Sequence, residues 1–309
     1  MHFDNDAKET RPCSQLTGVG VHTGCDCEVR FSRVLSGKKS DLIMAGFSEP
    51  VGVKNLYQSK VSAEFSTVLT WGTKKMWMPE HLIGILVGFS NHSFHVEVSG
   101  REIPLLDGSG LPWLKLIAQV LGEEAEGEGL KNQVAFDTYS TELQQSYAVN
   151  KGYFEVSPAP HFSVEYSVDL GTVSHHYLFD MGKEGCHEAF LNDIAPARTF
   201  TTWADYNFCL ENNLLKGVSL DSGWLIAQSY SDFEKGAQLF KETGEYPWIN
   251  PLEFRTENEL AKHKILDLIG DLALYRLALP KLKIKVKNAG HFQNHQLLKD
   301  LIHEQSLRQ

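Results

Sequence analysis

Residues 258–271 read Asn258-Glu-Leu-Ala-Lys-His-Lys-Ile-Leu-Asp-Leu-Ile-Gly-Asp271, which sets His263, Asp267 and Asp271 four residues apart. A helix carries side chains at that spacing up one face. Leu266, Ile269, Leu272 and Ala273 also keep helical spacing and read as core. A neutral imidazole and a carboxylate one turn apart reach a single divalent ion, at about 2.0–2.2 Å for Zn²⁺. A catalytic zinc takes three protein ligands and leaves one position for water. A further ligand and a general base therefore have to come from elsewhere in the chain.

The best supplier is Pro79-Glu80-His81-Leu82, which opens an apolar stretch running to Phe89. Proline suits the first helical position because it has no N–H to lose there, so Glu80 and His81 are expected at the start of a buried helix. Adjacent helical residues diverge by about 100°, which suits His81 as metal ligand and Glu80 as proton acceptor from water. Alone, a Glu-His pair at a helix start is more often a solvated cap. A third cluster follows the stretch Lys281 to Lys287, where lysines alternate with Leu282, Ile284 and Val286 and predict a half-buried strand. Asn288-Ala-Gly290-His291 comes next, and Gly290 permits an unusual backbone angle just before a histidine. Taken alone, His291 is a loop histidine ahead of a helix from Gln293 to Gln305.

Other short segments fall in order around these three: Leu16-Thr-Gly-Val-Gly-Val-His-Thr-Gly24, Ser66-Thr-Val-Leu69, Glu102-Ile-Pro-Leu-Leu-Asp-Gly-Ser109, Ile194-Ala-Pro-Ala-Arg-Thr-Phe200 and Lys216-Gly-Val-Ser-Leu-Asp221. Together with Glu80-His81-Leu82, His263-Lys-Ile-Leu-Asp267, Gly270-Asp271 and Gly290-His291, the chain resembles the zinc-dependent UDP-3-O-acyl-N-acetylglucosamine deacetylases of the lipid A pathway over nearly its whole length. The resemblance implies an α+β fold of two similar domains, each a sheet packed on a pair of helices, with the active site at their junction. It implies His81, His263 and Asp267 as Zn²⁺ ligands, although Fe²⁺ suits the same donors. It makes Glu80 the general base, and His291 a cationic group that steadies the oxyanion or protonates the leaving amine. Asp271 would orient His291, although a helix-face salt bridge or cap explains that residue as well. Thr199 would donate to the oxyanion, Lys264 and Lys216 would meet the sugar-nucleotide phosphates, and Phe200 and Leu69 would contact substrate. The implied reaction is hydrolysis of an N-acetyl group by metal-activated water.

Departures from the family pattern widen the choice of substrate. Trp77-Met78-Pro79 replaces the usual residues before Glu-His, Thr201-Thr202-Trp203 follows the Ala-Arg-Thr-Phe segment, and Ser222 stands where Asn is common. The segment Phe162 to Phe179 is short, and the resemblance makes this region the start of the acyl-chain passage. Two alternatives therefore accompany the parent function: a deacetylase of another N-acetylated sugar without the acyl chain, and a non-catalytic relative that binds a sugar nucleotide or a partner protein.

A chain of 309 residues is at the size where one core divides into two. The boundary is expected in the acidic, glycine-rich stretch 122–130, giving domain I as 1–124 and domain II as 130–309. A net charge of −10 and a pI near 5.7 argue against nucleic-acid binding. No run reaches the roughly 20 apolar residues of a membrane span, and the polar start lacks a signal-peptide pattern. A cytoplasmic monomer is expected. The five cysteines, Cys13, Cys25, Cys27, Cys186 and Cys209, are odd in number and suit free thiols. The Gly18–Gly24 segment lacks the Gly-x-Gly-x-x-Gly spacing of a dinucleotide loop. Strands are predicted near 15–22, 25–33, 41–46, 64–71, 93–98, 132–138, 146–150, 162–169, 173–180, 223–228 and 281–288. Helices are predicted near 79–90, 111–122, 186–195, 203–213, 257–279 and 293–306.

Overall fold

The computed structural model describes residues 13–34, 41–44, 51–52, 56, 59–63, 66–219, 221–240 and 243–308. The polar start, and parts of the strands expected near 41–46 and 64–71, lie outside the described residues. The first half contains β1 (Cys13–Val19), β2 (Asp26–Arg33), β3 (Asp41–Met44), β4 (Val51–Gly52), β5 (Lys60–Ala63), β6 (Thr67–Trp71), β7 (Lys74–Trp77), α1 (Glu80–Leu86), β8 (Phe94–Val98) and α2 (Leu111–Leu121). Five of these strands form a sheet in the order β1-β2-β8-β3-β4, antiparallel except for the β8–β3 pair. Strands β5, β6 and β7 form a separate antiparallel meander that delivers the chain to α1.

The second half contains α3 (Glu128–Gln133), β9 (Thr138–Tyr139), β10 (Gln145–Tyr147), β11 (Tyr153–Pro158), β12 (Ser163–Asp169), β13 (Ser174–Asp180), α4 (Cys186–Ala189), a π-helical turn at Phe190–Ile194, β14 (Phe200–Thr202), α5 (Trp203–Glu211), β15 (Trp224–Ile226), α6 (Tyr230–Ala237), α7 (Glu259–Ala273), β16 (Leu279–Pro280), β17 (Leu282–Lys287) and α8 (His291–Leu307). Its main sheet runs β10-β11-β17-β12-β13, again antiparallel except for the β17–β12 pair. In both sheets the latest strand in sequence takes the centre. One helix precedes that strand and another follows it, α1 and α2 in the first half, α7 and α8 in the second. The same α+β architecture thus occurs twice without a repeated sequence, because strand order and apolar alternation are shared while residues are not.

The alternation in β17 works as expected: Leu282, Ile284 and Val286 are fully buried, and the intervening Lys283 and Lys285 are exposed. Leu266, Ile269, Leu272 and Ala273 are likewise fully buried, in one cluster with Leu82, Ile85 and Leu86 of α1. Residues 122–127 connect α2 to α3, and Gly122 closes α2 in a left-handed conformation at φ 74°. Helix α3 starts inside the stretch read as linker, because Leu130 is completely buried and draws its turn onto the core. Only the short β9 remains of the strand expected near 132–138. Among the described residues no helix is long and apolar enough to cross a membrane. The five cysteines are free, and the Gly18–Gly24 segment is the end of β1 with its turn into β2.

Candidate active site

The two halves touch where α1 crosses α7, and glycine sets how closely they approach. A Cβ on Gly270 would lie 2.0 Å from the main-chain oxygen of Glu80, and one on Gly84 would lie 2.9 Å from Leu266 Cδ1. Main chain therefore packs on main chain at this crossing, which carries His81 to the face that holds His263 and Asp267. Pro79 stands at the N-cap rather than inside the helix, with its carbonyl accepting from Ile83 N at 2.9 Å. Met78 before it adopts φ 60°, which costs a non-glycine residue about 1–3 kcal/mol and turns the chain abruptly into α1.

The nitrogen and oxygen donors of His81, His263 and Asp267 all lie within 4.8 Å of one another, and all three residues are buried. Nε2 of each histidine is 3.2 Å from Asp267 Oδ1, close to the roughly 3.4 Å that separates two donors sharing one tetrahedral ion. His263 Nε2 and Asp267 Oδ1 are buried without hydrogen-bond partners. His263 Nδ1 meets Ala197 O at 3.0 Å and donates to it, leaving the Nε2 lone pair bare. Burial holds the His263 ring below its ordinary pKa and hence neutral. Burial acts against ionisation of Asp267, but His263 and Lys264 outweigh it and keep the carboxyl well below its usual range. Two imidazoles and a carboxylate, with His263 Nε2 and Asp267 Oδ1 orphaned, fit a divalent metal.

Glu80 lies beside this group with Oε2 buried and unpaired, and burial pushes its pKa up to about 7. On the other side His291 opens α8, its Nε2 lying 3.9 Å from Glu80 Oε1 and 3.8 Å from Asp267 Oδ2. Burial opposes a charge on this ring, yet Asp271, bonded to Nδ1 at 2.8 Å, with Asp267 and Glu80, raises its pKa to about 9. A helix N-terminus disfavours a cation, so these carboxylates are what sustain it. Helix α8 begins at His291 itself, two residues earlier than expected. Gly290 sits at φ −152°, with nothing within 4 Å of a Cβ placed there, so the unusual angle expected at Gly290 is instead at Asn288, φ 55°. Asn288 holds that turn by accepting from Asp169 N at 2.7 Å.

Residues outside the sequence-derived set complete the site. Asp271 also accepts from Thr67 Oγ1 and from Asn294 Nδ2 at 2.9 Å, with His295 Nε2 at 3.3 Å. Arg198, 5% exposed, donates its Nε to the fully buried Glu259 at 2.8 Å and its backbone N to the same oxygen at 2.9 Å. That pair fastens the 194–200 segment to the first turn of α7 and so aims the Ala197 carbonyl at His263. Thr67 and Arg198 stand in the Ser66–Leu69 and Ile194–Phe200 segments, but neither has a spacing that announces a role.

A cavity of about 550 Å³ opens on this group, lined by Glu80, His81, Asp267, His291, Thr199 and Lys264. Phe200, Leu215, Val218, Trp224, Leu225 and Phe240 add an apolar wall, interrupted by polar Asp205, Ser219, Ser222 and Asn250. Thr199 is held there through N to Gly108 O at 2.7 Å and O from Trp224 N at 2.8 Å. Lys264 bonds Asp267 Oδ2 at 2.9 Å and lies 5.3 Å above the Phe200 ring. His22 also lines the cavity, its Nδ1 2.9 Å from Leu214 O. Leu69 is fully buried in the core and is not among the residues that line the cavity. Lys216 is exposed beside Gly24, next to the wall rather than in it. Residues 162–180 do not form the apolar passage either; they make the β12–β13 hairpin packed on α7. The wall comes mainly from residues 199–250, where β14, α5 and the parallel strand β15 form a βαβ unit.

Comparison with known proteins agrees with this geometry. Residues 10–303 match the family described as LpxC: UDP-3-O-acyl N-acetylglycosamine deacetylase. The UDP-3-O-acyl-N-acetylglucosamine deacetylase of Trichormus variabilis is 28% identical, with 93% of this chain and 94% of that protein covered. The same-named protein of Geobacter sp. is 26% identical over 93% of this chain and 86% of its own length. A bifunctional LpxC/FabZ enzyme of Chlorobaculum tepidum is 29% identical across 93% of this chain, which spans 62% of that longer protein. The chain belongs to the UDP-3-O-acyl N-acetylglycosamine deacetylase family.

Proposed function

We propose that this protein is a Zn²⁺-dependent hydrolase that removes the N-acetyl group from UDP-3-O-acyl-N-acetylglucosamine. The observation that carries the reading is the convergence of two histidines and an aspartate with Glu80 and His291 in a cavity that also carries a largely apolar wall. His81, His263 and Asp267 would hold the ion. When bound, Zn²⁺ supplies Lewis acidity, acidifying water and polarising the acetyl carbonyl. Glu80 accepts the proton of the attacking water, and its raised pKa keeps it a usable base near neutrality. Thr199 and the His291 cation stabilise the anion that develops on the amide, donors of a kind worth roughly 2.7–4 kcal/mol each. His291 then passes its Nε2 proton to the leaving amine, while Asp271 holds the ring at Nδ1.

The apolar wall from Phe200 to Phe240 supports an acyl chain on the substrate, and Lys264 supports an anionic group at the polar end. A cytoplasmic setting and a monomeric state belong to the same proposal. The test is acetate release from UDP-3-O-acyl-N-acetylglucosamine and from UDP-N-acetylglucosamine, with and without a chelator. Turnover of the acylated compound far above the unacylated one, abolished by chelation and restored by Zn²⁺, is expected. Equal rates on both would remove the acyl requirement, and chelator-resistant release would remove the metal.

A further inference from the structure

Thr67 lies on β6, whereas Asp271, His291, Asn294 and His295 all belong to α7 and α8. Its hydroxyl touches three of these four, and the bookkeeping of protons decides what it does there. The Asp271 carboxylate, fully buried, accepts on both oxygens: His291 Nδ1 at 2.8 Å and Asn294 Nδ2 at 2.9 Å reach Oδ2, while Thr67 Oγ1 reaches Oδ1. An ionised carboxylate only accepts, so the single Thr67 proton is committed to it. His295 Nε2 lies 2.9 Å from the same Thr67 oxygen and 3.3 Å from Asp271 Oδ1. A bare nitrogen facing two oxygens would repel both, so His295 carries its proton on Nε2 and donates it to Thr67.

We propose that Thr67 and His295 form a hydrogen-bonded latch, His295 to Thr67 to Asp271, that positions the carboxylate orienting the general acid His291. The latch joins the β5–β7 meander of the first half to the last two helices of the second, and both ends are buried, Thr67 at 0% and His295 at 3% exposure. Neither residue touches the reacting atoms; each acts through Asp271. With Oδ1 pinned from one side and Oδ2 from the other, the carboxylate cannot rotate, and His291 Nε2 stays directed between Glu80 and Asp267. The inference rests on the deacetylase reading for its kinetic consequence, but not for its structural one.

Breaking the latch should lower kcat and leave KM and bound metal unchanged. Thr67→Val is expected to reduce kcat about tenfold, the lower end for loss of a group that orients another, while Thr67→Ser keeps it. His295→Gln, which retains a donor near the Nε2 position, is expected to keep most turnover, and His295→Leu to lose as much as Thr67→Val. The double variant Thr67→Val with His295→Leu should be no slower than either single, since one broken link opens the chain. Independent of any turnover, ¹⁵N NMR of the histidine rings should show His295 protonated on Nε2 in the unaltered protein and that signature shifted in Thr67→Val. Multiplying kinetic effects, a KM change, loss of metal in Thr67→Ser, or an Nδ1-protonated His295 would each overturn the latch. Failure of the unaltered enzyme to release acetate, with the NMR signature intact, would count against the deacetylase reading instead.

Discussion

Glu80 and His291 face one another across 3.9 Å with opposite requirements, one needing to be a free base and the other a cation. Activity should rise with pH as Glu80 loses its proton and fall again as His291 loses its own, giving a bell-shaped profile of kcat/KM. Glu80→Ala is expected to flatten the acid limb and His291→Ala the alkaline one. Each variant should lose roughly 10²–10⁴-fold in turnover while retaining fold and metal, checked by circular dichroism and metal analysis. Near-normal rates in either variant would contradict the assigned roles. At this scale the proposed ligands and base could be picked out because Glu80-His81 and His263-x-x-x-Asp267 have a helical meaning once the family resemblance is set beside them. Asn294 and His295 were not legible, since their work depends on a carboxylate more than twenty residues away.

Helix α7 was legible from its periodicity, although it ends at Ala273 rather than near 279, and its partner α1 from one proline and an apolar run. What the periodicity did not contain was the crossing. Gly270 reads as a mere dent in a helix until its position against the Glu80 carbonyl is known. Gly270→Ala should force α1 away from α7, costing about 1–3 kcal/mol by overpacking and weakening metal affinity, measurable by denaturant unfolding and by metal titration. Gly84→Ala meets first the end of the flexible Leu266 side chain, so its penalty should be smaller. The same limit explains the misplaced acyl wall. Residues 203–213 were read as a helix, and α5 spans Trp203–Glu211, but only the parallel pairing of β14 with β15 folds that helix over the cavity. Hairpin β12–β13 was correctly located as two strands and wrongly given a lining role, because strand alternation reports burial and not what is buried against it.

Across the whole molecule, one sheet architecture is used twice, and the proposed ion takes one ligand from the first half and two from the second. The division at residues 122–130 remains our proposal for where those halves join. Because an ion bound only by the folded protein stabilises it by mass action, free Zn²⁺ at a hundred times its dissociation constant should add about 2.7 kcal/mol. Chelation is thus expected to lower the melting temperature without dissolving the sheets, followed by calorimetry and far-ultraviolet circular dichroism. An unchanged melting temperature would mean that no ion bridges α1 and α7. The contact of main chain on main chain at Gly84 and Gly270 also ties assembly to chemistry. Any bulk added along that seam would part His81 from His263 and Asp267, so the packing of the halves and the proposed metal centre should be lost together.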